Sequence, residues 1–134
     1  MEQKLLLRIV TPDRQVLRED VDEIQAPGRE GYLGILPGHA PLLSELNPGE
    51  MSYRRGRDLR RLVVTGGFLE VLPEQVTVLA EAAEFPEDID IPRAQSAKER
   101  AEMRLKSLNS EIDLDRAAVA LQRALIRLQV ASRR

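Results

Sequence analysis

The chain has 134 residues, of which 43% are hydrophobic and only 3% aromatic with no Trp, so it can bury a core and that core must be aliphatic. With no Cys and a single His, it excludes disulfides, thiol catalysis and a Cys- or His-cluster metal site. The net charge of −2 is uneven: residues 1–87 hold ten Lys/Arg against fifteen Asp/Glu (−5), and residues 88–134 hold ten against seven (+3), as expected of two parts that face different partners.

The N-terminal MEQKLLLRIV is charged before and inside its apolar run. It reads as neither a signal peptide nor a membrane span, and a soluble protein of a reducing compartment is expected. Short apolar runs then follow one another. Lys4–Val10 stops at Thr11-Pro12-Asp13, and Val21–Ala26 stops at Pro27-Gly28. Glu19-Asp20 and Asp22-Glu23 read as solvated edge charges that discourage edge pairing. Gly28-Arg29-Glu30-Gly31 has the glycine spacing of an RNA-clamping loop, but strands flank it where helices are needed.

Gly34–Leu43 reads GILPGHAPLL and carries the only histidine, His39. Pro37-Gly38 is a turn signal, and Ile35-Leu36 and Leu42-Leu43 are expected to anchor the turn to an apolar layer. A stiff turn that displays one polar ring suits either an anchored loop or a docking surface. Asn47-Pro48-Gly49 separates Leu42–Leu46 from Met51–Tyr53, and Arg55-Gly56-Arg57-Asp58 reads as a hairpin tip before Leu59–Thr65. Arg54, Arg55, Arg57, Arg60 and Arg61 cluster there, but only Tyr53 could stack on a base and the region is acidic overall, so nucleic acid is not the expected partner. Leu69–Leu72 and Val76–Leu79 flank Pro73-Glu74. Many short strands at this spacing predict an antiparallel sandwich or barrel.

Phe85-Pro86-Glu87-Asp88 is the boundary, which gives domains of 1–86 and 87–134. Asp90 suits a helix N-cap, with Pro92 in the first turn. Ile91, Ala94, Ala97, Ala101, Leu105 and Leu108 recur every three or four residues. Ser107-Leu108-Asn109-Ser110 interrupts the pattern. Asp113 can cap a second helix with a stripe of Leu114, Ala117, Leu121, Ala124/Leu125, Leu128 and Ala131. Two such helices make an antiparallel hairpin, with alanines of one facing leucines of the other, and a hairpin of this size is marginal alone. The whole is thus an α+β chain: β-sandwich first, two-helix hairpin second.

After Asp115 the second helix has no acid, but holds Arg116, Arg123, Arg127, Arg133 and Arg134. This is either a solvated face or an anion site. Arg93, in the first turn of helix one, should lie beside Arg123 and Arg127, and three guanidiniums at a helix N-terminus favour phosphate. No phosphate-loop motif, catalytic triad or metal-ligand set is present.

Gly31-Tyr32-Leu33-Gly34-Ile35-Leu36-Pro37-Gly38-His39-Ala40-Pro41-Leu42, then Thr65-Gly66-Gly67-Phe68-Leu69-Glu70-Val71, then the helical hairpin resemble the epsilon subunit family of bacterial F-type ATP synthase (delta in mitochondria). The likeness covers almost the whole chain. It implies a non-catalytic rotor subunit with a sandwich of about ten strands. Its gamma contact would be Pro37, Gly38, His39, Ala40, Pro41 and Leu42, and its c-ring contact Gly31, Tyr32 and Leu33. Some relatives carry an acid at the Tyr32 position, and tyrosine offers no carboxylate there.

The resemblance also implies a regulatory hairpin. Folded down, it permits hydrolysis. Extended along gamma into the catalytic alpha/beta hexamer, it blocks hydrolysis, with Arg116, Arg123 and Arg127 meeting acids of the beta subunit. Some members hold ATP on the folded hairpin through an I/L-D-x-x-R-A motif, which Ile89-Asp90-Ile91-Pro92-Arg93-Ala94 matches. Arg123 and Arg127 match the second-helix arginines, and Glu81 falls where an adenine-side contact is placed. The implied ATP is a regulatory ligand, no cofactor or metal is required, and the hairpin would be its clamp. The implied location is the cytoplasmic face of the bacterial plasma membrane, as a peripheral part of the synthase with no insertion of its own. A free-standing nucleotide-sensing module is the second reading, which co-purification with gamma would separate from the first.

Overall fold

Leu5, Leu7 and Ile9 are buried and alternate with half-buried neighbours, and this period of two makes strand β1, Leu5–Val10. The computed structural model of the chain describes residues 3–109 and 111–133. Ser110 of the expected inter-helix loop and Arg134 of the expected basic run lie outside the described residues. Contacts divide the chain into two units, Met1–Glu84 and Phe85–Arg134.

In the first unit β1 is followed by β2 (Gln15–Val21), β3 (Glu23–Gly28), β4 (Gly31–Ile35), β5 (Leu42–Leu46), β6 (Gly49–Arg55), β7 (Asp58–Val64), β8 (Gly67–Val71), β9 (Gln75–Ala80) and β10 (Ala83–Glu84). Hydrogen bonding runs in the order β10-β7-β6-β3-β5-β8-β9-β1-β2, with β4 paired to β3. β3 and β5 share one pair only, Gly28 with Leu46, so the path bends there into two layers. One layer turns Leu5, Leu7, Ile9, Leu69, Val71, Val76 and Val78 inward, and the other Ile24, Ile35, Met51 and Leu62, all fully buried. This is the expected β-sandwich, with each inner face covering the other. Each such side chain contributes about 1.5–3 kcal/mol of burial.

Several strand readings need correction. Val21–Ala26 is not one strand: Val21 ends β2, and Asp22 forms a corner before β3 begins at Glu23. β2 itself escapes a hydrophobic-pattern reading because Arg18-Glu19-Asp20 make a polar strand at the edge of the path. Gly31–Ile35, which is not among the expected strands, is one. Among the described residues, pairing is antiparallel with one exception, β1 against β9, which run parallel with Leu7 opposite Val76.

Of the four acids in Glu19-Asp20 and Asp22-Glu23, Asp20 is an exposed charge on the edge strand as expected, but Glu19, Asp22 and Glu23 are paired. Asp22 is bound by Lys4, by the Gly56 amide at 2.6 Å and by Arg54 at 3.6 Å. Glu19 pairs with Arg55 at 3.0 Å and Glu23 with Arg54 at 3.5 Å. These contacts fasten the β1–β2 edge of one layer to the β6–β7 hairpin of the other. Lys4 above all, then the Gly56 amide, holds the Asp22 carboxyl below its ordinary value.

In the second unit a 3-10 turn, Pro86–Asp88, precedes α1 (Ile91–Lys106) and α2 (Leu114–Ala131). Asp90 Oδ1 accepts from the Arg93 amide at 3.1 Å and Asp113 Oδ1 from the Arg116 amide at 3.0 Å, so both expected caps form. The helices pack on each other. Their buried alanines recur every seven residues, Ala94 and Ala101 on α1, Ala117, Ala124 and Ala131 on α2. The expected leucine stripe therefore flanks an alanine seam: Leu121 and Leu128 are half-buried, while Leu114 and Leu125 are exposed. Small side chains let two backbones approach closely, which leaves no depth for leucine. Leu108 lies beyond α1 and is fully exposed, so it is not part of the stripe.

Candidate functional site

The GILPGHAPLL segment becomes the end of β4, a turn and the start of β5. The His39 amide donates to the Leu36 carbonyl at 3.2 Å and closes the turn around Pro37 and Gly38. Gly38 has φ +86°, which a β-turn with Pro second and a left-handed residue third requires. Its amide donates to the Pro73 carbonyl at 2.8 Å and so ties this turn to the one between β8 and β9. His39 Nδ1 lies 2.7 Å from the Ala40 carbonyl. A carbonyl only accepts, so Nδ1 is the donor and carries a proton. Ile35 is fully buried and anchors the turn, but Leu36 and Leu43 are exposed and do not.

Gly31, Tyr32 and Leu33 begin β4 beside a surface groove of about 470 Å³. Leu42 lines the same groove, as do Arg29 and Glu45, whose ion pair is 3.1 Å long. One groove thus brings the residues expected to meet the c-ring together with Leu42 of the set expected to meet gamma. Tyr32 is 61% exposed.

In the helical unit, Ile89 is buried and Asp90 and Arg93 are exposed at the start of α1. Arg123 and Arg127 are half-buried and lie one turn apart on α2. In a hairpin that closes between Lys106 and Leu114, Arg93 falls level with Arg127. Arg116 is exposed near the closed end, about 10 Å along α2 from Arg123, beside a shallow groove it shares with Arg104 and Asp113. Arg116 thus lies about two turns from the Arg123–Arg127 pair on the same helix. Glu81 belongs to the β unit, where its amide donates to the Gly66 carbonyl at 3.0 Å and its carboxylate lies over Gly66. Among the described residues no group of His, Cys, Asp or Glu could hold a metal ion, and no helix is long and apolar enough to cross a membrane.

Two family models cover the chain: the β-sandwich domain of the ATP synthase delta/epsilon chain over residues 4–86, and the long α-helix domain of the same chain over residues 87–132. The chain belongs to the ATP synthase delta/epsilon family. An ATP synthase epsilon chain of Syntrophobacter fumaroxidans is 51% identical over 133 residues, which cover 99% of each chain. One from Nitratidesulfovibrio vulgaris is 52% identical over 130 residues and 97% of each. Among solved structures, a chain of the Euglena gracilis mitochondrial ATP synthase (OSCP/F1/c-ring) matches with a TM-score of 0.83 at 26% identity, over 96% of this chain and 81% of that one. A chain of the Tetrahymena thermophila mitochondrial ATP synthase (central stalk/c-ring) shares the fold at TM-score 0.61 and 18% identity, over 98% of this chain and 96% of that one.

On this delta/epsilon sandwich, one surface escapes sequence reading. Glu45 is registered against Phe68, Phe68 against Leu79, and Leu79 against Val10. Leu43 is the diagonal neighbour of Phe68 on the same outer face. Leu43, Phe68 and Leu79 are 71%, 51% and 53% exposed. Together they form an apolar strip across β5, β8 and β9 that begins where GILPGHAPLL ends. The signal that could have found it is a large apolar residue at the outward register of an alternating strand. The arginine cluster of β6–β7, in contrast, is largely matched within the chain, since Arg54, Arg55 and Arg61 all have acidic partners.

Proposed function

We propose that the chain is a non-catalytic central-stalk subunit of an F-type ATP synthase, which docks on gamma with the Pro37–Leu42 segment and the Leu43–Phe68–Leu79 strip, and on the c-ring with Gly31, Tyr32 and Leu33. The exposed apolar strip carries this reading. An apolar face that continues from a turn held rigid at both ends suits a permanent partner. The subunit would sit at the cytoplasmic face of the bacterial plasma membrane as a peripheral part of the complex. Phe68→Asp should abolish capture by gamma at an unchanged melting temperature, because the side chain is half exposed. Normal capture would overturn the docking face.

The helical unit is the proposed regulator. A two-helix hairpin of this length is marginal alone, so a folded and an extended form can lie within reach of each other. ATP suits the donor set of the helical unit: Arg93 near the α1 N-terminus and the half-buried Arg123 and Arg127 offer guanidiniums to phosphates, with Ile89 on the base side. Asp90 already caps α1 and would orient Arg93. ATP binding only to the folded form would shift the population toward it. Arg116, Arg123 and Arg127 would meet beta-subunit acids in the extended form. Removal of residues 88–134 should relieve suppression of hydrolysis and leave gamma capture intact. If the truncated chain assembles and hydrolysis stays suppressed, the hairpin is not the inhibitor.

A further inference from the structure

Arg8 on β1 stands directly opposite Arg18 on β2. Both belong to the outer face, since Leu7 and Ile9, the neighbours of Arg8 along β1, are fully buried on the inner one. Like charges directly opposite each other in an antiparallel pair repel and destabilise it. Elsewhere in this sandwich Arg29, Arg54, Arg55 and Arg61 pair with a carboxylate, and the other described arginines without an ion pair, Arg14 and Arg57, do not stand opposite a second arginine. Among the described residues, neither Arg8 nor Arg18 has an ion pair or a hydrogen bond from its side chain. Three of the described carboxylates share the face without pairing to them: Asp20, Glu70 and Glu45, which lies opposite Phe68 and pairs with Arg29. Asp20 is two residues from Arg18 on β2, opposite Leu6, and Glu70 is on β8, beyond Thr77 of β9, which lies beside Arg8.

The pair also adjoins the apolar strip. Arg8 is two residues from Val10 on the same face, and Val10 is registered against Leu79. From Leu43 to Arg18 the outer face thus runs from exposed apolar side chains to two adjacent guanidiniums. A partner surface that buries the strip would pass over the arginines, and only one that offers an anion there relieves their repulsion.

We propose that Arg8 and Arg18 form a carboxylate-binding clamp that receives an acidic segment of the protein partner docked on the Leu43–Phe68–Leu79 strip. The proposal rests on that strip being a docking face. The two side chains present up to ten N–H donors on one edge, enough to hold one or two carboxylates in bidentate fashion. They give the contact its orientation and its salt dependence, while the strip supplies apolar burial.

The test uses the full chain with the purified gamma subunit of the same synthase, by calorimetry at 50 and 300 mM NaCl (about a twofold change in Debye length). R8Q/R18Q should lose affinity about tenfold or more at low salt, and its affinity should barely change with salt. R8K/R18K should regain part of the loss. R8Q/R18Q should also melt at or above the wild-type temperature, because a repulsive pair is gone, and a structural role for the arginines would predict the opposite. If R8Q/R18Q binds like wild type at both salts while Phe68→Asp does not bind, the clamp is wrong and the docking face stands. If Phe68→Asp binds normally, the docking face fails and takes the clamp with it. If wild type but not R8Q/R18Q sediments with phosphatidylglycerol vesicles while gamma affinity is unchanged, the occupant is an anionic lipid surface and the proposal falls.

Discussion

The Gly56 amide donates to Asp22 Oδ2 at 2.6 Å, although the two residues are 34 positions apart. The same carboxylate takes Lys4 on its other oxygen and Arg54 beside it. One side chain therefore joins the entry to β1, the corner between β2 and β3, and the tip of the β6–β7 hairpin.

Asp22→Asn should lower the melting temperature of the β unit at neutral pH, because the charge-assisted contacts become weaker ones. The pH dependence has a defined sign. The folded-state pKa of Asp22 is lowered from its ordinary 3.8. Its contribution is fully present above the unfolded value and is lost as pH falls through the folded one. Melting curves of wild type and variant should therefore differ most near neutrality and converge below pH 3.8. A constant gap across that range would mean that the carboxylate charge contributes nothing.

Gly67 has φ +123°, and a Cβ placed on it would stand 1.9 Å from the Leu79 carbonyl oxygen. Gly67→Ala combines backbone strain with a clash against backbone, which cannot rotate away. A loss of at least about 2–4 kcal/mol in urea unfolding is expected. Gly34→Ala is the control, since a Cβ at that position would meet nothing within 4 Å, and it should change stability by less than about 0.5 kcal/mol.

Local chemistry made the helices readable in the sequence. Asp90 and Asp113 cap within three residues, and a turn of Pro37 and Gly38 needs no distant partner. What escaped depends on the other layer. β2 is polar, so only its pairing with β1 reveals it. Asp22 breaks a run that looks continuous because its partners, Lys4 and Gly56, are remote in sequence. The helical period is visible in either stripe, but whether alanine or leucine sits deepest depends on how closely the axes approach. The site was readable as segments: Gly31–Leu33 and Leu42 share a groove only because β4 and β5 both neighbour β3.

The alanine seam predicts an asymmetry between neighbouring positions of α2. Ala124→Leu should destabilise the helical unit by about 1–3 kcal/mol through overpacking, since Ala124 is 1% exposed. Leu125→Ala, one residue on, should cost less than about 1 kcal/mol, because Leu125 is already 46% exposed. Thermal melts followed at the helical circular-dichroism band separate the two. Equal losses would show that the leucines carry the packing.

ATP binding to the folded hairpin gives the last prediction. Arg123→Ala and Arg127→Ala should each weaken ATP by about 1–3 kcal/mol if each guanidinium makes a charge-assisted bond to phosphate. Asp90 needs a different substitution. Asp90→Ala removes the cap seen at the Arg93 amide, which costs about 1 kcal/mol of helix stability whether or not ATP binds. Asn caps about as well as Asp, so Asp90→Asn keeps the helix start and removes only the charge. If Asp90 orients Arg93 toward phosphate, calorimetry on Asp90→Asn should show weaker ATP binding at unchanged helicity. If it acts as a cap alone, Asp90→Asn should bind as wild type while both arginine variants still lose affinity. Unchanged affinity in both arginine variants would place any nucleotide away from this face of α2.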